Sequence, residues 1–181
     1  MTRLYLLALT FTQLGAIPTG WFFEGKDRSH FEVTLDAKEL AAGKVSARLR
    51  SVVPDAKYGA LLQTVNAAHY TRQRVRFSAM VKASDVDGWT GLFVRVEGAG
   101  QKTLAFDNMQ TRAQKGSFDW KRLEVVLDVS PDARRIHFGL GLSGRGTAWF
   151  DNARFETVGS DVPTTASSTA LDGPTNLDLD E

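Results

Sequence analysis

The chain has 181 residues, 43% of them hydrophobic, which fits one domain with a substantial core. Cysteine is absent, excluding a disulfide framework, a thiolate metal site and a cysteine nucleophile while leaving the compartment open. Formal net charge is +1, but five acids (Asp161, Asp172, Asp178, Asp180, Glu181) and no base fall in residues 157–181, so residues 1–156 carry 22 basic against 16 acidic side chains, about +6. Such a body attracts a polyanion and such a tail competes for the same surface; ordinary solubility charge with a disordered end accounts for the pattern equally well.

In chain order, the first sixteen residues, MTRLYLLALTFTQLGA, place Arg3 before an apolar run from Leu4 to Phe11 and end on Ala16, a loose match to a cleaved signal peptide. The run is short, one charge precedes it, and Leu14 stands where a small residue is wanted. The same residues serve as a first strand that passes through the Pro18-Thr19-Gly20 turn to Trp21. An uncleaved, cytoplasmic protein is therefore the leading expectation and secretion the alternative. No stretch reaches transmembrane-helix length, so no membrane insertion is expected.

Strands are expected around Trp21–Phe23 and His30–Leu35, then a short helical turn at Asp36–Gly43. Lys44–Val53 alternates with Val45, Ala47 and Leu49 inward. Tyr58–Val65 and Gln73–Val81 follow, the latter with Val75, Phe77, Ala79 and Val81 on one face. Trp89–Glu97 sets Leu92, Val94 and Val96 against Phe93, Arg95 and Glu97, and Thr103–Phe106 precedes a polar loop to Phe118. The segment Trp120–Glu156 carries three alternating runs between Pro, Asp and Gly punctuation, with Leu123, Val125, Leu127 and Val129 sharing one face and Ile136, Phe138, Leu140 and Leu142 another. Nine or ten short strands without a long helix mean an all-β, two-sheet antiparallel β-sandwich. It is expected to span residues 1–158, with a disordered acidic, Ser/Thr-rich tail at 159–181.

LTFTQLGAIPTGW, GKVSARLRS (Gly43–Ser51), YTRQRVRFSAMVK (Tyr70–Lys82), LAFDNM (Leu104–Met109) and FDWKRLEVVLDV with WFDNARFE together resemble the bacterial jelly-roll carbohydrate-binding modules and the wider galactose-binding-like fold. The resemblance covers roughly residues 9–158 and extends to stand-alone and regulator-fused intracellular proteins of that shape. It implies a jelly roll and a polyhydroxylated ligand. It also implies a structural calcium where the final strand passes the first, for which Asp151 is the matching ligand, with backbone carbonyls. The family's acidic partner in the first strand is Thr12 here. The closing NLDLDE is similar to the phrase that starts such a domain, or is a strand docking on the sandwich edge.

The one formal motif, Gly139-x-Gly141-x-x-Gly144, matches a dinucleotide fingerprint only on paper. That fingerprint needs a following helix, and here a strand follows. His30, His69 and His137 show no metal-binding spacing, and Asp107, Asp119 and Asp151 read as turn or loop-capping acids, so catalysis is not expected and no cofactor beyond the calcium is implied. The distinctive chemistry is Arg72, Arg74 and Arg76 at alternate positions, which period-two geometry puts on one face, with Arg48, Arg50, Arg95 and Arg122 in the outward phase of their own strands. Trp21, Trp89, Phe93 and Phe118 offer stacking surfaces near them. The candidate ligand-binding set is thus Arg72, Arg74, Arg76, Trp89, Phe93, Arg95, Phe118 and Arg122. Stacking aromatics with polar neighbours suit a carbohydrate-like polymer held on one sheet face; the same aromatics with a positive stripe suit single-stranded DNA or another nucleic acid. A third reading is a protein-interaction scaffold, and in a fourth the arginines only pair across strands with Glu97, Glu124 and Asp128.

Overall fold

The computed structural model describes residues 17–166. The signal-or-strand question at 1–16, Thr12 and the terminal NLDLDE lie outside the described residues. Nine strands appear among the described residues: β1 (Phe22–Gly25), β2 (Phe31–Asp36), β3 (Ser46–Ser51), β4 (Tyr58–Asn66), β5 (Arg74–Glu97), β6 (Thr103–Asp107), β7 (Gln114–Asp128), β8 (Arg135–Ser143) and β9 (Thr147–Val158). All pairings are antiparallel. No helix among the described residues is long and apolar enough to cross a membrane.

The 24-residue β5 organises the fold. Its first half pairs with β9 on one side and β7 on the other, and its second half pairs with β8 and β6. One sheet therefore runs β2-β3-β9-β5-β7 and the other β1-β4-β8-β5-β6. The alternation in β5 sends Val75, Phe77, Ala79 and Val81 from the first half and Leu92, Val94 and Val96 from the second into one buried core. The sequence expectation takes these halves as two strands, Gln73–Val81 and Trp89–Glu97, and the Asp85-Val86-Asp87-Gly88 between them has the residue types of a turn. In the structure the turn residues are spent on register slips against β7, with Asp85 held at φ 55° by its backbone N–H donating to Ser117 Oγ. The chain bends between sheets instead of reversing.

Aromatic packing joins the sheets. The Phe138 ring of β8 lies 5.0 Å from Phe77 of β5 and is stacked at 4.5 Å on Phe155 of β9, and Trp21 sits edge-on to it at 6.1 Å. Two local expectations fail. Asp36–Gly43 is not helical, because Asp36 Oδ1 accepts from the backbone N–H groups of Lys38 and Glu39 and fixes a turn. Val45 lies before β3 and is exposed.

The chain also stays ordered past β9. Residues 159–166, counted by composition in a disordered tail, run back along β7: the Thr165 N–H donates to the Val126 carbonyl, and Arg74 Nη1 donates to the Ser160 carbonyl. Val126 is in the outward phase of β7 yet fully buried at this contact. Low hydrophobicity misleads here because the segment is held by hydrogen bonds, with Ala166 alone packing on the core.

Phe77→Ala is expected to destabilise the domain by about 3–5 kcal/mol, since it empties the centre of a close-packed core. The urea midpoint should fall accordingly, with the β-sheet circular dichroism signal kept in the absence of denaturant.

Candidate functional site

Because Leu61, Leu140 and Leu92 point into the core, their neighbours in β4, β8 and β5 line the outer face of the second sheet. Ladder partners set these neighbours in rows: Tyr58, Ser143 and Trp89; then Ala60, Gly141 and Gly91; then Leu62, Gly139 and Phe93; then Thr64, His137 and Arg95, with Phe106 of β6 beside Arg95. Ala60, Leu62 and Phe93, with Tyr58 against them, form a small apolar cluster separate from the main core. Above it opens a groove of about 250 Å³ lined by Glu24, Tyr58, Ala60, Trp89, Phe93, Arg95, Phe106 and Asn108.

The groove has an aromatic wall, with Ala60 and Phe93 as apolar lining beneath it. The Tyr58 and Trp89 rings lie 5.9 Å apart, tilted by 33°. Gly141 passes beneath them, and a Cβ there would stand 3.0 Å from Tyr58 Oη and 3.4 Å from Trp89 Cη2. Phe106 is 47% exposed and offers a second flat surface across the groove. Burial, with the Glu24 carboxylate adding to it and Arg95 opposing, pushes the Tyr58 phenol up to about 12, so it remains a hydrogen-bond donor at neutral pH. Glu24, Arg95 and Asn108 supply an acceptor, a fork of donors and an amide at the rim.

Beside Arg95 lies the buried Glu97 carboxylate. Arg95 Nε is 3.0 Å from its Oε1 and His137 Nε2 3.0 Å from its Oε2; both nitrogens are close but off the line of a hydrogen bond. Arg135 approaches at 3.4 Å, and His137 Nδ1 meets Thr64 Oγ1 at 2.8 Å. Burial alone would raise the Glu97 carboxyl; the His137 ring and the two guanidiniums outweigh it and hold the group below the usual glutamate range.

The sequence-derived residues divide between the two sheets. Trp89, Phe93 and Arg95 come together in the groove, whereas Arg74, Arg76 and Arg122 sit on the outer face of the other sheet. Arg72 is not part of that row: it precedes β5 in a left-handed turn at φ 64°. Arg74 pairs with Asp128 at 2.7 Å, Arg76 with Glu156 at 2.9 Å and Glu124 at 3.8 Å, and Arg122 donates to Ser78 Oγ. Arg48 and Arg50 share Glu32, and Lys82 bridges Glu39 and Asp119. The face is thus a lattice of cross-strand ion pairs, and Arg95 does not extend it because it belongs to the second sheet. Phe118 lies at the bend of β5, with Lys121 Nζ 4.1 Å over its ring.

Asp151 accepts from the backbone N–H groups of Ala41, Ala42 and Asn152, and no group of three or more His, Asp or Glu side chains converges among the described residues. That arrangement makes Asp151 an anchor for the loop carrying Ala41 and Ala42. Tyr58, Glu24, Phe106 and Asn108 were not singled out by sequence. The available signal was that Tyr58 shares the outward phase with Ala60 and Leu62, an apolar set on a face expected to be polar.

The depressed Glu97 carboxyl gives stability that is fully present above the ordinary glutamate value and lost as pH falls through the lower folded-state value. Glu97→Gln should remove this acid-limb loss, seen as a flatter plot of melting temperature against pH below about 4.5.

No family model matches the chain. It is 35% identical over 167 residues to the uncharacterized HTH-type transcriptional regulator YbfP of Bacillus subtilis (strain 168), an alignment covering 90% of this chain; the chain spans 57% of that protein's length. Among solved structures, it superposes on the CBM22-1 xylan-binding domain of Paenibacillus barcinonensis Xyn10C with a TM-score of 0.60 at 14% identity, over 80% of this chain and 90% of that domain. The C-terminal family 22 module of Clostridium thermocellum Xyn10B gives 0.55 at 16% identity, over 81% and 90%. TmCBM61, solved with β-1,4-galactotriose, gives 0.52 at 15% identity, over 87% and 100%. The described chain is a jelly-roll β-sandwich with the fold of these carbohydrate-binding modules.

Proposed function

We propose that this domain is a non-catalytic binding module that holds a glycan chain in the groove on the outer face of its second sheet. The observation that carries the reading is the Tyr58–Trp89 pair in the groove wall: sugar rings present C–H faces that pack on such surfaces, while Glu24, Arg95 and Asn108 meet hydroxyls at the rim. Glu24 is the one carboxylate among the groove's lining residues, whereas glycoside hydrolysis generally uses two, about 5–9.5 Å apart. The likeness in fold to modules named for xylan and β-1,4-galactotriose supports the ligand class. Similarity to a protein named as a transcriptional regulator supports a role in sensing the saccharide within a longer chain.

Nucleic-acid binding through Arg74 and Arg76 has less support, because both guanidiniums are already engaged by carboxylates of the same sheet. The two readings separate in one titration series of the full-length protein. Neutral β-linked oligosaccharides, xylohexaose and β-1,4-galactotriose among them, should bind with little change between about 50 and 200 mM salt, and a labelled single-stranded DNA should not. Trp89→Ala and Tyr58→Ala should each weaken the saccharide complex about 10-fold or more, and an Arg74→Ala/Arg76→Ala pair should leave it unchanged. Undiminished affinity in both aromatic variants, or salt-sensitive DNA binding lost in the arginine pair, would overturn the proposal.

A further inference from the structure

Asp107, the last residue of β6, is a buried carboxylate outside the groove whose partners lead in two directions. Toward the groove, Oδ1 accepts the Met109 N–H at 2.8 Å, which fixes the left-handed turn at Met109. That turn sets Asn108 in the groove wall and lays Met109 against Gly91, where an added Cβ would meet Met109 Cβ at 3.3 Å. Arg112 closes the loop, with Nη1 3.1 Å from Oδ1 and Nη2 2.7 Å from Oδ2. Away from the groove, Oδ2 accepts the Thr165 hydroxyl at 2.6 Å, and Arg112 Nη1 also donates to the Thr165 carbonyl at 3.1 Å. Thr165 is tied in turn to the edge of β7, its N–H donating to the Val126 carbonyl and its Oγ1 accepting the Val126 N–H.

We infer that Asp107 is a positioning residue through which the segment 159–166 sets the groove wall, so that docking of this segment and occupancy of the groove favour each other. The coupling of docking to the wall rests on this geometry alone; the coupling to occupancy rests on the glycan reading given above. Loss of Thr165 removes one of the two hydrogen bonds at Oδ2 and one of Arg112, leaving Arg112 Nη2 as the remaining partner of that oxygen, so the loop carrying Asn108 is held less firmly at its end. By linkage, whatever ligand orders Asn108 raises the docking of Thr165 by the same factor. The coupling is read from both ends, at the wall and at the groove.

The test uses the full chain with Thr165→Val, which keeps the shape and the bond from the residue 165 N–H to the Val126 carbonyl but removes the hydroxyl that meets Asp107 and accepts the Val126 N–H, and Thr165→Ser as the conservative rescue. Amide hydrogen exchange at Met109 and Arg112 should be about 3- to 10-fold faster in Thr165→Val, with Leu140 and Leu142 of β8 unchanged and Thr165→Ser like the parent. Equal exchange at Met109 and Arg112 in the parent and Thr165→Val would overturn the inference. Titration with xylohexaose and β-1,4-galactotriose then tests the occupancy half. A matching loss of affinity in Thr165→Val supports it, and unchanged affinity in a protein whose wall exchanges faster sinks it. A parent protein that binds neither saccharide but shows the exchange difference refutes that ligand half and leaves the structural joint standing.

Discussion

One strand that hydrogen-bonds into two sheets is the constraint from which the rest of this structure follows. Residues 74–84 of β5 are ordered by β7 and β9, and residues 89–97 by β8 and β6, so the bend between them fixes how the sheets face each other. It also fixes what each outer surface is made of. The phase that buries Phe77 turns Arg74 and Arg76 outward in the first half, and the phase that buries Leu92 and Val94 turns Trp89, Phe93 and Arg95 outward in the second. A single unbroken strand thus presents an ion-paired face on one side of the sandwich and an aromatic groove on the other.

The energetics of the two faces differ accordingly. Exposed cross-strand ion pairs such as Arg50–Glu32 contribute little each, typically a few tenths of a kcal/mol, and serve mainly to keep a sheet face wetted and unattractive to other sheets. The groove is the opposite case. Apolar surface at Tyr58, Trp89 and Phe106 is kept out of the core and left for something else to cover, and the buried Glu97 carboxylate near it is compensated by cations on β5 and β8.

Much of the fold was legible because period-two alternation is enforced wherever one side of a strand is buried. Ile136 through Leu142 and Leu123 through Leu127 could belong only to sandwich strands, and both do. The pairing of strands was not legible, and the site depends on it. Trp89, Phe93 and Arg95 were visible as an outward set on one strand, but Tyr58 and Phe106 join them only because β4 and β6 lie across β8 and beside β5. The arginine row was read correctly as outward for Arg74 and Arg76, and the reading that pairs it across strands holds for Asp128 and Glu124; Glu156 was not named, and Glu97 pairs in the second sheet with Arg95 and Arg135. The Asp-Val-Asp-Gly segment has turn chemistry, and composition cannot distinguish a reversal from a bend absorbed in bulges.

The glycine beneath the aromatic wall bears on how such a scaffold changes. Gly141 belongs to a central strand and is overlain by two rings, so a side chain there would displace the wall itself. Glu24, Phe106 and Asn108 come instead from short edge strands and a loop, where few core contacts constrain the choice of side chain. New ligand preferences are therefore open to this domain through its rim alone, at little cost to folding, and relatives that share its sandwich are free to diverge in what they recognise while keeping the same base beneath it.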